Sequence, residues 1–520
     1  MVHRPGYVLA PVLAFPLLKE LTVDDLIDLL VIGGGTAGIV GAKTAARLGA
    51  RTVLVEQHRT GGDCLWTGCV PSKTILSAAA RAAMIREAAG IEPDFDKVRE
   101  RISATITTIE PADSPAALEQ AGVTVMHGTA RFVAPGLAEI SDAAAAGMAG
   151  TAGSIDGAAQ RIRFRQALVV TGSFPSVPEI PGLEDTGYVT SDTIWDLTEL
   201  PPRLVVIGGG PIACELGQAF ARLGSEVTLL ARSGLLPRED PEAVALVQAS
   251  LERDGVEVLL HDQPARVHAA TDGRDGTVSA GVKVVTTAAG RRLEAEVVLI
   301  ATGRTPRTKG LGLQRLGVEC DDAGHVVVDA TMRSSNHSIF AAGDVTAHPK
   351  FTHLAGVHAS TAASNALLGL RRRVSSTIPR ITYTSPEVAA VGHTAATGPG
   401  VRTSTVSLEH TDRALTEDAA EGFARLVIGR RGRILGGTLV GPRAGESLGE
   451  LSLAVANKLT TRQLAGVTHA YPTYNDALWN AAVAHASGGL DSPAVKTATG
   501  ALAGLVRRRR RGPKSQPSDR

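Results

Sequence analysis

The apolar positions of the chain form two copies of one pattern, in which an apolar run precedes a glycine-rich turn and a helical segment. Ile27–Ile32 and Arg203–Ile207 are nearly continuous apolar runs of the length typical of buried strands. After its turn and helix, each copy continues into a second apolar run, Thr52–Val55 in the first and Val227–Leu230 in the second. This order predicts two strand–turn–helix–strand units, each built on a parallel sheet.

Both turns have the GxGxxG or GxGxxA spacing of a loop that holds a dinucleotide pyrophosphate. In such a loop the first glycine permits the tight turn, the second lets the backbone approach the phosphates, and the third, small residue lets the helix pack against the strand. The helix N-terminus then offers N–H groups and the positive end of its dipole. The residues at these positions are Gly33, Gly35 and Gly38 in the first unit and Gly208, Gly210 and Ala213 in the second.

The residue that ends the second strand differs between the two units. Glu56 ends it in the first unit and can accept hydrogen bonds from a ribose diol. Ala231 takes the equivalent position in the second unit and is followed by Arg232 and Arg238, whose guanidinium groups suit a 2′-phosphate. We therefore expect the second unit to prefer NADPH to NADH; the alternative is that both arginines are ordinary solvated loop residues.

The run from Gly61 to Lys73, GGDCLWTGCVPSK, indicates redox chemistry. The spacing of Cys64 and Cys69 suits the first turn of a helix, where two sulfurs can come within disulfide reach. Gly68 relieves crowding beside the pair, and both the helix N-terminus and Lys73 favour a thiolate. This pattern predicts a redox-active cysteine pair.

Composition narrows the alternatives for this pair. Four cysteines in 520 residues do not make a disulfide framework. Cys214 and Cys320 lie far from the pair in sequence and lack the spacing of metal ligands. The alternative that Cys64 and Cys69 are an inert pair of core cysteines is left open. A net charge of +1 gives no case for nucleic acid or an acidic partner, and 44% apolar residues are ample for burial.

The cysteine run resembles the GG-T-C-x-N-x-G-C-V-P-S-K signature of the class I pyridine nucleotide–disulfide oxidoreductases, which are FAD flavoproteins. The similarity extends from about Ile27 to about Gly489 and includes both glycine loops. It also includes, in the family's order, LVVTGS (Leu168–Ser173), VVLIATGR (Val297–Arg304) and IFAAGD (Ile339–Asp344). The resemblance is to the mercuric reductase-like and dihydrolipoamide dehydrogenase-like branch.

This resemblance implies an α/β fold with two Rossmann-like dinucleotide-binding domains, for FAD and NAD(P), and a C-terminal α+β dimerisation domain in a homodimer. The expected divisions are an N-terminal extension (1–26), the first part of the FAD-binding domain (27–178), the NAD(P)-binding domain (179–302), the second part of the FAD-binding domain (303–374), the dimerisation domain (375–490) and a disordered basic tail (491–520).

Three segments outside the motifs carry expectations of their own. Tyr7–Leu18 is apolar but interrupted by prolines and too short to span a bilayer, so we expect no membrane span and a cytoplasmic protein. Asp142–Ala159 is rich in Ala and Gly and is interpreted as a surface loop. The tail contains Arg507–Arg511 and is interpreted as solvated, with weak binding to nucleic acid or acidic lipid as the minor alternative.

The resemblance also implies roles for matching residues. Cys64 would be the interchange thiol that meets the substrate, and Cys69 the charge-transfer thiol beside the flavin. Lys73 would lie near the flavin in a buried pair with Glu215, and Asp344 would bind the ribityl chain. Further cofactor contacts are expected from Gly62, Thr171, Gly172, Gly303 and Gly343.

The chain departs from the family pattern near its C-terminus. Family members that reduce organic disulfides have His-Pro-Thr there, with a Glu five residues after the His; the histidine serves the partner subunit's interchange thiol as acid and base. Alignment on Pro-Thr places Tyr471 at the histidine position and Asp476 at the glutamate position. His469, two residues earlier, would share a face with Tyr471 in an extended segment and could partly substitute. Which of the two serves is left open.

Two other segments bear on the electron acceptor. Ala231–Asp240 and Phe351–His353 resemble the mercuric reductase-like branch, but no cysteine follows Cys320 to relay a metal ion to the pair. Elsewhere Asp63, Trp66 and Pro211 replace the family's commoner residues.

We therefore expect an enzyme that passes electrons from NADPH through FAD to Cys64–Cys69 and on to an unassigned small-molecule or metal-ion acceptor. The alternatives are dihydrolipoamide dehydrogenase or another disulfide reductase, and a flavin-level quinone reductase or redox-sensing flavoprotein.

Overall fold

The computed structural model describes residues 26–141, 159–271, 278–488 and 493–510. The expected N-terminal extension, up to residue 25, and all but the last residue of the expected surface loop at 142–159 lie outside the described residues. The chain divides into two compact units. The first comprises Met1–Leu204, Ala265–Val285 and Glu294–Ser375, and the second comprises Val205–Pro264, Thr286–Leu293 and Ser376–Arg520.

Strands and helices alternate along much of the chain. The strands are β1 (Leu26–Ile32), β2 (Thr52–Glu56), β3 (Val123–His127), β4 (Thr129–Ala134), β5 (Leu137–Ser141), β6 (Gln160–Val169), β7 (Ser173–Pro175), β8 (Val189–Thr190), β9 (Arg203–Ile207), β10 (Glu226–Ala231), β11 (Glu257–Leu260), β12 (Pro264–Thr271), β13 (Val278–Thr287), β14 (Arg292–Ala295), β15 (Val297–Ile300), β16 (Arg304–Pro306), β17 (Ile339–Ala341), β18 (Arg380–Thr382), β19 (Glu387–Gly392), β20 (Arg402–Ser407), β21 (Phe423–Ile428) and β22 (Ile434–Gly441). The helices are α1 (Thr36–Arg47), α2 (Gly62–Trp66), α3 (Cys69–Ala89), α4 (Phe95–Asp113), α5 (Pro115–Gln120), α6 (Leu183–Thr186), α7 (Pro211–Leu223), α8 (Pro241–Arg253), α9 (Thr352–Leu368), α10 (Asp412–Thr416), α11 (Ala444–Ala456), α12 (Thr461–Ala465), α13 (Asp476–Gly488) and α14 (Pro493–Arg510).

The main sheet of the first unit has the strand order β3-β2-β1-β6-β5-β4, with β17 paired to β6. Strand β1 pairs in parallel with β2 and β6, and β6 pairs in parallel with β17. Because the carboxyl ends of parallel strands meet at one edge, this sheet brings together the loops that follow β1, β6 and β17. Those loops contain Gly33, Thr171 and Asp344, which the sequence assigns to FAD.

Alternate residues of β1 serve opposite faces of this sheet, as the two-residue period of a strand requires. Leu29 and Val31 pack on the face that carries α1 and α9. Leu30 and Ile32 belong to the cluster on the other face. Each of these side chains is almost fully buried and stabilises the fold by about 1.5–3 kcal/mol. Burial on both faces explains why β1 is a nearly continuous apolar run.

The second unit contains the other glycine loop and an antiparallel sheet. Strands β9, β10 and β11 lie in the order β11-β10-β9, and β10 pairs in parallel with β11. The antiparallel sheet has the order β18-β19-β22-β21-β20, and its apolar core includes residues of α11 and α13. The shift to β-type segments expected after about Ile378 therefore corresponds to a sheet in the structure.

The expectation that the tail from residue 491 is disordered is wrong for most of that segment. Residues Pro493–Arg510 form helix α14 in the structure. Alanine, leucine and arginine, which are frequent in this segment, have high helix propensity. None of the described helices is both long and apolar enough to cross a membrane.

Candidate active site

The two cysteines of the predicted pair lie on successive helices. Cys64 belongs to the short helix α2, and Cys69 is the first residue of α3. The expectation of a single helical turn is therefore wrong, because the chain leaves α2 at Thr67 and re-enters a helix after Gly68. A Cβ on Gly68 would lie 2.7 Å from the carbonyl oxygen of Asp63, so only glycine lets the two segments come this close.

The two sulfurs have unequal surroundings. Both are thiols; Cys64 is half-buried and Cys69 is exposed. A hydrogen bond with Cys69, together with burial, raises the pKa of the Cys64 thiol well above its usual range. The Sγ of Cys69 lies 3.3 Å from the Oγ1 of Thr352, the first residue of α9. Cys69 thus lies at the N-termini of α3 and α9, where a negative charge is favoured, while Cys64 keeps its proton.

The first glycine loop has the shape of a dinucleotide cradle. Helix α1 begins after Gly35 without a side-chain cap, so no side chain competes for the N–H groups of its first turn. A Cβ on Gly38 would collide with the carbonyl oxygen of Gly33, and one on Gly62 would lie 2.6 Å from the Cα of Gly35. The loop therefore packs closely against the segment that carries the cysteines. These residues fit the pyrophosphate of FAD.

Glu56 is held in place at the end of β2. The backbone N–H of Gly34 donates to its Oε2 at 2.6 Å, and that of His58 donates to its Oε1 at 2.8 Å. Its carboxylate is half-buried next to the glycine loop. Each oxygen retains a lone pair after these bonds, so the carboxylate can also accept from a ribose hydroxyl.

An arginine that sequence reasoning did not single out connects the cysteine segment to Asp344. Arg304, on β16, forms an ion pair with Asp63, the residue before Cys64. Its Nε donates to the hydroxyl of Ser173 at 2.7 Å, and that hydroxyl donates to Asp344 at 2.7 Å. The antiparallel pairing of β16 with β7 places Arg304 opposite Pro175, and Ser173 lies two residues along the same strand. Burial raises the pKa of Asp63, although Arg304 opposes this shift. The signal in the sequence was Asp63 itself, an acidic residue where the family commonly has threonine.

The other predicted FAD contacts lie in loops of the first unit. Thr171 follows β6, and its hydroxyl donates to the carbonyl of Arg307 at 2.6 Å. Gly172, Gly303 and Gly343 have φ values of +71°, +135° and +73°, respectively, a region that favours glycine. Glycine at these three positions satisfies the backbone conformation and also leaves room for a cofactor.

The second glycine loop is equally tight. The N–H of Leu236 donates to the carbonyl of Gly209 at 2.8 Å, and a Cβ on Gly209 would collide with the carbonyl oxygen of Gly234. Gly210, in contrast, has open space where a Cβ would lie, and α7 begins after it without a side-chain cap. An open space before an uncapped helix is the arrangement that admits a pyrophosphate.

Beyond this loop, Ala231 is buried, whereas Arg232 and Arg238 are exposed. Among the described residues, no carboxylate forms an ion pair with either guanidinium. Both charges therefore stay available to an anionic ligand. The neighbouring Glu239 is instead paired with Arg380 at 2.6 Å, which keeps its negative charge compensated.

Lys73 and Glu215 lie in different units, and their pairing stays a prediction. Lys73 is half-buried on α3. Glu215 is 5% exposed on α7 and accepts the backbone N–H of Tyr383 at 2.9 Å. That hydrogen bond helps to compensate the cost of burying the carboxylate.

Residues 466–475, between α12 and α13, form a loop that is called the C-terminal loop below. It places the two candidate acid–base residues in different surroundings, contrary to the expectation that they share a face. His469 is largely buried; its Nε2 lies 2.7 Å from Glu450, and its Nδ1 lies 3.0 Å from the carbonyl oxygen of Val467. Tyr471 is 72% exposed, and its hydroxyl donates to Asp412. Because His469 is already engaged on both ring nitrogens, Tyr471 is the residue that this loop presents to solvent.

Asp476, which the alignment places at the family's glutamate position, forms hydrogen bonds with Thr473, whereas the Tyr471 hydroxyl donates to Asp412. Asp476 is buried at the start of α13, where it accepts the backbone N–H of Thr473 at 3.0 Å. Its second oxygen accepts the Thr473 hydroxyl at 3.2 Å. A carboxylate at a helix N-terminus is stabilising, so Asp476 has a local structural role.

Two regions of the chain match models of known families. Residues 27–360 match the pyridine nucleotide-disulphide oxidoreductase family, and residues 378–482 match the pyridine nucleotide-disulphide oxidoreductase dimerisation domain.

Similar proteins are known in both sequence and structure. A mercuric reductase from Streptomyces lividans is 36% identical over 468 residues, which cover 87% of this chain and 94% of the relative. A dihydrolipoyl dehydrogenase from Geobacillus stearothermophilus is 31% identical over 471 residues, which cover 88% of this chain and 95% of the relative. The crystal structure of LpdA from Mycobacterium tuberculosis superposes with a TM-score of 0.77 and 26% identity, covering 88% of this chain and 99% of that chain.

Proposed function

This chain belongs to the pyridine nucleotide-disulphide oxidoreductases, and from that premise we propose that it carries electrons from NADPH to the Cys64–Cys69 pair and on to a thiophilic metal ion. The family is FAD-dependent and uses NAD(P)H. When bound, FAD supplies a two-electron relay between a nicotinamide and a disulfide. The observation that carries the proposal is the asymmetric cysteine pair beside the first glycine loop.

The roles of the two cysteines follow from their surroundings. Reduction of the disulfide takes two electrons and two protons and leaves two thiols. Cys69 lies at two helix N-termini, so it is the sulfur on which a thiolate is stabilised. Cys64 retains its proton because the hydrogen bond with Cys69 raises the pKa of its thiol. Gly68 holds the two close enough for the disulfide to form again.

The absence of a solvent-facing histidine in the C-terminal loop favours a metal ion over an organic disulfide as acceptor. Cleavage of an organic disulfide releases a thiolate that needs a proton, and an imidazole supplies it well near neutral pH. The hydrogen bond to Asp412 raises the pKa of Tyr471, so its hydroxyl is poorly suited to cycle as a base. A soft divalent ion bound by both sulfurs takes two electrons, and the products are the reduced metal, the disulfide and two protons. No leaving group has to be protonated.

The metal ion would reach the pair directly from solvent. Residues 321–520 contain no cysteine, so they supply no second thiol pair to hand the ion over. Cys64, the sulfur expected to meet the substrate, is only half-buried, which permits ligand exchange from a small thiol complex. The relative named mercuric reductase, which the chain matches over most of its length, supports this class of acceptor.

A homodimer is the expected assembly, because the chain carries the family's dimerisation domain. Several large apolar side chains of this region, among them Leu453 and Val467, are exposed in the single chain. Apolar side chains of this kind are typical of a subunit interface. A reducible cysteine pair suits a reducing compartment, and we therefore place the enzyme in the cytoplasm.

The preference for NADPH rests on Arg232 and Arg238, whose charges are uncompensated in the described structure. Substitution Arg232→Glu should lower kcat/KM for NADPH by about 10- to 100-fold, since a charge-assisted contact is replaced by repulsion. The value for NADH should change little. Arg430→Glu, at another exposed arginine of the second unit, serves as the control. An unchanged NADPH/NADH ratio in Arg232→Glu would refute the 2′-phosphate assignment.

The acceptor is tested by anaerobic turnover of the FAD-loaded enzyme with NADPH. Hg(II) in excess small thiol, lipoamide and a quinone are compared in the native protein, in Cys64→Ser and in a Cys320→Ser control. We expect reduction of Hg(II) that Cys64→Ser abolishes and Cys320→Ser leaves intact. Quinone reduction that survives Cys64→Ser, without any Hg(II) reduction, would instead assign the chain to flavin-level chemistry.

A further inference from the structure

Helix α14 carries an exposed apolar stripe that leads directly into a run of arginines. Leu502, Leu505 and Val506 are 62%, 57% and 54% exposed, respectively. Their spacing of three and four residues places them on one face of the helix, together with the exposed Ala498. Three large apolar side chains at these exposures form a contiguous surface rather than the scattered apolar residues of an ordinary protein exterior.

The charge of this region has one sign. Between Pro493 and residue 518 the charged residues are Lys496, Arg507–Arg511 and Lys514, with no acidic residue among them. The net charge of the whole chain is only +1, so the positive charge is concentrated here and compensated elsewhere. Arg507 is exposed directly after the apolar stripe, and the sequence continues with four further arginines.

The composition of α14 also indicates a helix that is stabilised by packing against another surface. Gly500 and Gly504 lie in its interior, and each lowers helix stability by about 1 kcal/mol relative to alanine. Most helical stability in proteins comes from the packing of an amphipathic face rather than from helix propensity.

We propose that α14 is a reversible anchor for an anionic phospholipid surface. Leu502, Leu505 and Val506 would enter the boundary between headgroups and acyl chains, and the run of positive charge that begins in the sequence at Arg507 would be attracted to the lipid phosphates. This anchor is independent of the proposed reductase chemistry, since none of its residues belongs to the cysteine or cofactor sites.

Nucleic acid or a second copy of this chain would complement only part of this surface. Nucleic acid would engage the arginines through its phosphates but leave the apolar stripe in water. A parallel pairing with α14 of a second copy would cover the stripe but bring two arginine runs together. An antiparallel pairing would place the arginines beside Lys496, a further positive charge. An anionic lipid surface covers the apolar stripe and neutralises the arginines at once.

The test is sedimentation of the full-length, FAD-loaded protein with vesicles of phosphatidylcholine alone or of phosphatidylcholine with phosphatidylglycerol. We expect binding to the anionic vesicles that weakens as salt is raised. Leu502→Ser with Leu505→Ser should reduce the partition coefficient at least roughly tenfold, through lost apolar contact. Arg507→Gln, Arg508→Gln and Arg509→Gln together should reduce it roughly 100-fold.

Two matched variants control for general changes in surface polarity and charge. Met84→Ser with Ile91→Ser removes two exposed apolar side chains from the first unit. Arg371→Gln, Arg372→Gln and Arg373→Gln removes the charges of a second exposed arginine run. Both controls should bind anionic vesicles like the native protein. NADPH-dependent turnover, which the α14 variants should retain, reports separately on the reductase.

Three results would overturn the lipid anchor. Native protein that binds neutral and anionic vesicles equally, or neither, contradicts it. Undiminished vesicle binding by the Leu502→Ser/Leu505→Ser protein would show a simple polyanion site of the kind that nucleic acid also fills. A fall in oligomeric mass of that variant without vesicles would identify α14 as a contact between copies.

Discussion

The surroundings of single side chains determine which sulfur of the pair carries charge and which proton donors are at hand. Cys69 has the N-termini of α3 and α9 and the hydroxyl of Thr352 beside it. Cys64 has a hydrogen bond to Cys69 that holds its proton. Tyr471 is tied to Asp412, and His469 is tied to Glu450. The chain retains the cysteine pair, and Tyr471 lies where the resemblance places the histidine that serves as acid and base in organic disulfide reduction.

A histidine at position 471 should restore part of that chemistry. We expect Tyr471→His to raise kcat/KM for lipoamide by at least about tenfold, because a positioned imidazole contributes 10²–10⁴-fold in proton transfer. The gain should appear as a bell-shaped pH dependence of lipoamide turnover, while Hg(II) turnover stays unchanged.

Tyr474→His is the matched control, since Tyr474 also donates to a carboxylate, that of Glu417, at 2.7 Å. It should give no gain. Equal lipoamide turnover in native protein and Tyr471→His would mean that the acid–base partner is not what limits disulfide reduction here.

The two glycine loops look alike in sequence but tolerate different residues at the third position. Helix α7 has Ala213 there, whereas a Cβ on Gly38 would collide with the carbonyl oxygen of Gly33. Gly38→Ala should therefore move α1 away from β1, cost about 3 kcal/mol of stability and reduce bound FAD well below one per chain. The FAD content of purified protein, from absorbance after denaturation, measures this loss.

Gly217→Ala is the control for Gly38→Ala, since Gly217 is a glycine within α7 where a Cβ would have ordinary contacts of 3.7 and 3.8 Å. It should keep full FAD content. If Gly38→Ala also keeps its FAD and its thermal midpoint, the close approach of α1 to β1 does not determine cofactor retention.

Helix α9 contains a buried histidine that should make stability depend on pH. His358 is almost fully buried, its ring packs edge-on against that of His348 at 4.7 Å, and neither ring nitrogen has a hydrogen-bond partner among the described residues. Burial, and secondarily the charge of His348, lower the pKa of His358 to about 4. Between pH 6.5 and 4 the unfolded chain binds this proton and the folded chain does not, so stability falls as the pH falls through this range.

Replacement of this histidine should remove that dependence. The shift from 6.5 to about 4 corresponds to roughly 3 kcal/mol, present at pH 7 and lost by pH 4. His358→Gln should therefore show a smaller drop in thermal midpoint between pH 7 and pH 5 than the native FAD-loaded protein. His337→Gln, at an exposed histidine, should keep the native drop. Identical pH profiles for His358→Gln and native protein would assign the acid sensitivity to other groups.

The elements that the sequence predicted well are those with strong periodicity. The strand expected at Ile27–Ile32 spans Leu26–Ile32, and that expected at Arg203–Ile207 has those bounds. Glycine spacing placed both loops, because the same residues serve the turn and the approach of a phosphate. The break between α2 and α3 was missed, since it depends on how closely Gly68 approaches Asp63. Helix α14 was missed because a basic run at a chain end was interpreted by charge rather than by helix propensity.

At the scale of the whole molecule, family membership and the α/β fold class are confirmed by the matches to both family regions and by the similarity to LpdA. The roles of individual residues stay predictions, because they depend on where bound cofactors lie. The separation of His469 from Tyr471 could not be predicted from the sequence for a related reason. It arises from a contact with Glu450, a residue distant in sequence that no local pattern connects to the loop.

The central claim is that electrons from NADPH reach the Cys64–Cys69 pair. Its most direct test is a count of thiols in denatured protein before and after anaerobic addition of NADPH to the oxidised, FAD-loaded enzyme. The chain has four cysteines, so formation of one disulfide leaves two thiols and its reduction gives four. We predict an increase of two thiols per chain in native protein and none in Cys64→Ser. Oxidation of NADPH and bleaching of the flavin without any new thiol would contradict the claim.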